Sequence, residues 1–394
     1  MARSGANGLK ACVTRRRLRE PCISHKPRLA ALQLYSPETE ISSADQSRFS
    51  RIKTIDFLSR QANVYVPVTG AGDHCRTNST PGLRKLRQIL DVDTHPIETE
   101  SVWNYLGQAD EEFRPSILVK ESGARIDTHF AGPKTREFWV IDNEIYGKHD
   151  VAMIAEASSG ELSVDAITMD NIDQRLAAMD TQGVDVQVVF SSLFLNLRIE
   201  RREAELALTR AYNRWLAERC AQGDGRLRWI MVPSLKNPSA TIADMAWARD
   251  NGAVGVLFRG IEGDRYLDHQ DFDPIYAQAQ ELDMPICVHI GHGCEQLGTI
   301  RHRSDSEFNR FNSDSPNYFA FSSLLRSNLH EIFPRLRFGF FESGSSWIPT
   351  NVQTTLHVRL PPPELMALSR EKIEESNFYI TCELHEDLAC LLYT

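Results

Sequence analysis

Two stretches of this chain carry the same triplet, Asp93-Thr94-His95 in "DVDTHPIE" and Asp127-Thr128-His129 in "RIDTHFAG". Side chains two residues apart on a strand point to the same side, about 6.5–7 Å apart along the chain. An acid and a histidine so placed can lean onto one cation. Two such pairs cannot both open the same site. The approach to the first, "ILDV", is apolar enough for a buried strand, and Pro96 ends it. The second follows "ESGAR", a turn-like lead-in with little to bury. Asp93 and His95 are therefore the expected pair, with Asp127 and His129 in a loop.

Three more residues with chemistry to offer stand far along the chain. "PICVHIG" closes on His289, which shares a strand face with Cys287. A carboxylate oxygen with two imidazole nitrogens suits zinc, leaving one position for water or substrate. Arg259 ends "AVGVLFRG" and could grip a substrate carboxylate bidentately. An ion pair with Glu262 or Asp264 is an equal alternative. Glu342 in "LRFGFFESG" is a candidate proton shuttle, or an acceptor that orients a ligand imidazole. The orienting role is preferred, because nothing in the sequence sets its pKa. His292 belongs with the loop rather than the ligands. Arg301, Arg303 and Arg310 either attract an anionic substrate to the mouth or are solvated surface charge.

The elements that must position these groups become regular near residue 166. "NIDQRLAAMDTQG" reads as an amphipathic helix stopped by Gly183. Apolar strands then alternate with helices: 184–192, 227–235, 253–260, 285–291, 336–344 and 377–384, with 88–95 ahead of them. Ser239 is the expected N-cap of one of these helices and Pro274 lies in the first turn of another. Repeated strand–helix units mean a parallel sheet. Without a glycine-rich nucleotide loop they favour a closed (β/α) barrel, whose site lies at the C-terminal strand ends. His95, Arg259, His289 and Glu342 all fall there. Residues 1–84 read as an N-terminal extension, 85–394 as the barrel domain, and 100–165 as an insertion after the first strand.

Composition removes several alternatives. The net charge of −9 argues against nucleic acid or an anionic membrane as the partner, and no apolar run approaches a membrane span. Eight cysteines without framework spacing suggest a reducing compartment, hence the cytoplasm. The first thirty residues hold a single acid, Glu20, which fits either a disordered tail or a transit-like segment.

The stretches "DVDTHPIETESVW", "FWVIDNEIYG", "RLAAMDTQGVDVQVVFSSLFL", "AYNRWLAERC", "GAVGVLFRGIEGDRYLDHQDFDPIYAQAQELDMPICVHIGHG" and "FPRLRFGFFESGSSWIP" occur in that order. Together they resemble the amidohydrolase-related family, in the branch of aminocarboxymuconate-semialdehyde decarboxylase and γ-resorcylate decarboxylase. The resemblance covers roughly 88–394 and is specific to family rather than substrate. It implies an α/β, TIM-type (β/α)8 barrel holding one divalent metal, zinc first and manganese as the alternative. Its first-strand motif falls on Asp93 and His95, and its fifth-strand histidine on His289. Its sixth-strand position, often histidine in the decarboxylases, is Glu342 here. Its last metal contact, an Asp ending strand 8, has no counterpart, so about seven units and an incomplete C-terminus are expected.

The expected activity is metal-dependent hydrolysis or decarboxylation of a small carboxylated or cyclic organic acid. A catalytically impaired, truncated barrel is the alternative. Dimers are frequent in that family, so a homodimer is one option, and the residues leave oligomeric state open.

Overall fold

The computed structural model describes residues 88–121, 135–157, 162–298, 310–382 and Glu386. The expected extension over 1–84, the second triplet at Asp127 and His129, and Arg301 and Arg303 lie outside these residues.

Strands run in chain order as β1 (Leu90–Thr94), β2 (Ser116–Val119), β3 (Glu137–Ile141), β4 (Glu144–Gly147), β5 (Val186–Val189) and β6 (Leu227–Met231). There follow β7 (Ala253–Arg259), β8 (Ile261–Glu262), β9 (Arg265–Tyr266), β10 (Ile286–His289), β11 (Phe338–Phe341) and β12 (Phe378–Ile380). Seven of them make one sheet in the order β1-β5-β6-β7-β10-β11-β12, and each of its pairings is parallel. Each sheet strand matches one of the seven apolar runs of the sequence. β5, β10 and β11 are buried at every position, as strands covered by helices on one side and core on the other must be.

Local chemistry explains the helices between them. Asn171 accepts a hydrogen bond from the Gln174 N–H and starts the helix Ile172–Gln182; Gly183, at φ 72°, ends it in the left-handed turn glycine adopts freely. The helix Arg202–Ala221 buries Ala204, Leu208, Ala211, Tyr212 and Trp215, a stripe at three- and four-residue spacing. Ser239 is not a cap: the helix Pro238–Asp250 begins one residue earlier, with Pro238 in its first turn and Asn237 preceding it. Proline is well placed there because the first-turn N–H has no helical partner anyway. Pro274 does sit in the first turn of Asp273–Glu281.

The segment between β1 and β5 carries its own three-stranded antiparallel sheet, β2-β3-β4. It is anchored by the edge-on contact of two buried rings, Trp103 and Trp139, with centroids 6.0 Å apart. Among the described residues no helix is long and apolar enough to cross a membrane.

β1 is not a regular strand. Asp91 pairs with Gln187 and Thr94 with Val189, so β1 spends one residue more than β5 over the same step. Such a bulge re-aims side chains. Thr94 Oγ1 accepts from the buried Arg175 guanidinium at 3.1 Å, and Gln187 bridges Arg175 to Asp91. Asp91 thus shares the Arg175 side with Thr94. Asp93 and His95 turn toward β10 instead.

Candidate metal centre

Asp93, His95 and His289 come together with one ligand atom from each, all within 4.8 Å of one another. Asp93 Oδ1 lies 3.1 Å from His289 Nε2 and 3.4 Å from His95 Nε2. The two imidazoles meet edge to face, centroids 5.0 Å apart. Phe190, the residue after β5, packs against the His289 ring at 5.1 Å and against Phe341 at 4.9 Å, giving the cluster an apolar floor.

Ring tautomers follow from what surrounds the other nitrogens. His95 Nδ1 stands 3.2 Å from the Ser191 carbonyl and His289 Nδ1 stands 2.9 Å from the Ile290 carbonyl. A carbonyl only accepts, so both Nδ1 atoms carry hydrogen and each neutral ring keeps its lone pair on Nε2. His95 Nε2 is buried with no hydrogen-bond partner. A buried lone pair facing a carboxylate and a second lone pair is a poor arrangement without a cation and a good one with it. The donor set therefore fits a divalent metal held by Asp93, His95 and His289.

In the metal-free chain a proton takes that role. Burial works against charge on His289, but Asp93, and behind it Glu342, outweigh this and raise the imidazole to about 8. Burial likewise works against the Asp93 carboxylate, and His289 and His95 overcome it, holding Asp93 well below the usual carboxylate range. The His289 contribution to stability is complete below the ordinary histidine value of about 6.5 and is lost as pH rises through about 8. Asp93 contributes above the ordinary carboxylate range and loses its share only in strong acid. Chelator-treated protein should therefore lose on the order of 1–2 kcal/mol between pH 6.5 and 8.5. Melting curves at those two pH values check it: His289→Gln should lose less than the parent, and equal losses contradict the assignment.

Glu342 follows β11 and places Oε2 3.5 Å from His289 Nε2. It faces the ligating nitrogen and not Nδ1, whose hydrogen is already taken by Ile290. The position at Nδ1 that the orienting role preferred from sequence would need is thus occupied by a main-chain carbonyl. Glu342 has φ 58°, a left-handed conformation that costs a side-chain-bearing residue about 1–2 kcal/mol. Its side chain is 39% exposed, so it stands at the open side of the cluster.

Arg259 takes the ion-pair alternative. Its Nη2 lies 2.5 Å from Glu262 Oε2, Nε bonds the same carboxylate, and Nη1 donates to the Leu197 carbonyl. The fork expected to hold a substrate carboxylate is engaged by Glu262. Both residues line a cavity of about 390 Å³ with Phe194, Leu197 and Val232, and its lining does not include Asp93, His95 or His289. His292 is buried, its Nδ1 2.9 Å from Asn196 Oδ1, and it lies outside the ligand cluster.

Sequence reasoning missed the groups behind the ligands: the Ser191 and Ile290 carbonyls, and Glu98, discussed below. A main-chain carbonyl leaves no trace in residue identity. Glu98 is visible in "DTHPIE" as an acid three residues past His95, which is no signal until the fold places it.

Comparison with known proteins bears on family and fold. Over 128 residues the chain is 28% identical to the γ-resorcylate decarboxylase of Rhizobium radiobacter, covering 31% of this chain and 39% of that protein. A γ-resorcylate decarboxylase of Rhodococcus jostii (strain RHA1) is 27% identical over 131 residues, 31% of this chain and 40% of its own length. The match thus spans about two-fifths of these relatives. A crystal structure of an amidohydrolase from Mycobacterium avium subsp. paratuberculosis K-10 superposes with a TM-score of 0.57 at 18% identity, covering 78% of this chain and 85% of that one. That likeness concerns the fold. The sequence profile of the Amidohydrolase family matches residues 90–371, well over half of the sequence, and this chain belongs to that family.

Proposed function

We propose that the protein is a divalent-metal-dependent enzyme acting on a small carboxylated cyclic acid, with decarboxylation of a hydroxybenzoic acid as its reaction. One observation carries the metal dependence: the buried Nε2 of His95, which has no hydrogen-bond partner, converges with a carboxylate oxygen of Asp93 and the Nε2 of His289. The reaction class is supported by the relatives, whose names specify decarboxylation of γ-resorcylate. Hydrolysis is the second reading, favoured by the family description itself.

Asp93, His95 and His289 would hold the ion, which supplies Lewis acidity toward a substrate oxygen. Zinc is assigned first, manganese second, on one oxygen and two imidazole donors. Glu342, on the open side of the cluster, delivers the proton to the ring carbon that loses its carboxylate. There the carbon–carboxyl bond breaks, its electron pair stays with the ring, and carbon dioxide leaves. Phe190 and Phe341 keep the floor of the site apolar. Arg259 acts as a positioning residue, holding Glu262 and the Leu197 carbonyl at the rim. The seven parallel strands are read as units of an eight-unit barrel.

Metal analysis and a turnover assay test this together. Purified protein should carry about one zinc or manganese per chain and release carbon dioxide from a member of a mono- and dihydroxybenzoic acid panel. Chelation should remove both properties and metal should restore them. Protein that takes up no metal would instead favour the non-catalytic alternative. Protein with metal that releases no carbon dioxide but cleaves amide or ester analogues would favour hydrolysis.

A further inference from the structure

We propose that Glu98 is a positioning residue for the metal ligand His95, acting through the turn Ser191–Leu193 that follows β5. The inference rests on the metal-site reading above and names what holds one of its ligands in register.

Glu98 is 3% exposed, and both of its oxygens are used on this one turn. Oε1 accepts from the Ser191 hydroxyl at 2.6 Å and from the Ser192 N–H at 3.1 Å. Oε2 accepts from the Leu193 N–H at 3.1 Å. The Ser192 hydroxyl returns a bond to the Pro96 carbonyl at 2.7 Å, and the Phe194 N–H donates to Ser191 Oγ at 3.0 Å. The segment 95–98 is thereby laced to 191–194 across almost a hundred residues of sequence. The group this lacing presents to the site is the Ser191 carbonyl, the acceptor for His95 Nδ1–H.

That bond is already 3.2 Å long. Hydrogen bonds of this type fade beyond about 3.2–3.5 Å, so a shift of a few tenths of an ångström in the turn would remove it. A neutral imidazole without that acceptor is free to carry its hydrogen on Nε2, which blocks the lone pair the metal needs. Outer partners of metal-bound histidines typically change affinity by about 10–100-fold. A carboxylate is suited to the task because it accepts two converging main-chain N–H groups and a hydroxyl at once. A glutamine at 98 keeps the shape but turns an N–H toward the Leu193 N–H.

The test compares the full-length parent with Glu98→Gln and Ser191→Ala in two measurements. The first is Zn²⁺ affinity, titrated against a competing chromophoric chelator well below the melting temperature. The second is the His95 ring tautomer in metal-free protein, read from ¹⁵N-histidine spectra at neutral pH, with His95→Gln identifying the signal. For E98Q the dissociation constant should rise about 10–100-fold, and His95 should lose its pure Nδ1–H tautomer. S191A, which keeps the carbonyl and the carboxylate, should move both readings less and in the same direction. A lower melting temperature for E98Q with unchanged affinity and tautomer would overturn the proposal and leave Glu98 a structural residue. Should E98Q not fold, S191A decides: parental affinity and tautomer there overturn the proposal as well. A parent that binds no Zn²⁺ refutes the metal-site reading instead, a different result from any of these.

Discussion

His289→Ala should purify without metal. The parent should carry about one ion per chain and the variant only a trace, with a drop in affinity beyond the 10–100-fold typical of losing an outer partner. His289 is fully buried and its Nε2 is the ligand atom nearest Asp93, at 3.1 Å. Removing the ring leaves Asp93 with His95 alone, and one carboxylate with one imidazole is half of a tetrahedral set. Asp93, whose side chain is 19% exposed, also loses its charged partner, which costs the fold on the order of 1–2 kcal/mol. Metal analysis of the purified protein, with a melting curve to confirm folding, checks both parts. A folded variant that retains stoichiometric metal would mean the ion is held elsewhere.

Glu342→Gln should separate binding from chemistry. The variant is expected to keep its metal and lose about 10²–10⁴-fold in kcat, the usual contribution of a positioned proton-transfer group. The geometry behind this is the approach of Glu342 Oε2 to the ligating face of His289, with the opposite nitrogen already satisfied by Ile290. If Glu342 instead oriented the ligand, metal affinity would fall and turnover per bound metal would hold. Steady-state rates at saturating metal, alongside a metal titration, distinguish the two. The KM should change little, because the amide keeps the size of the carboxylate and only the transferable proton is lost.

Much of this was legible in the sequence. Seven apolar runs became the seven strands of the parallel sheet, and the central ones are the plainest, because burial on both faces leaves a continuous hydrophobic signature. Asp93, His95 and His289, which the fold brings together, could be singled out because chemistry-bearing residues stand out at the ends of such runs. What stayed hidden depends on contacts across distance. The bulge in β1 contains neither glycine nor proline, so nothing in "LDVDT" announces it. Strict alternation would have placed Asp91 beside Asp93 and His95, whereas Gln187 and Arg175 hold it on the other side. The role of Arg259 was undecided between a substrate and Glu262 because both are carboxylates, and only the fold shows which lies within reach. Glu98 looked like an ordinary acid, since the turn it holds lies 93–95 residues away.

The left-handed backbone at Glu342 also has an implication for anyone engineering this protein. A stability screen that rewards relaxed backbones would favour glycine at that position, since glycine tolerates the conformation without penalty. Such a winner would melt higher while discarding the acid that the proposed mechanism uses as its proton donor. On the proposed mechanism thermostability and activity are thus set against each other at a single residue, and selection on heat resistance alone would trade one for the other.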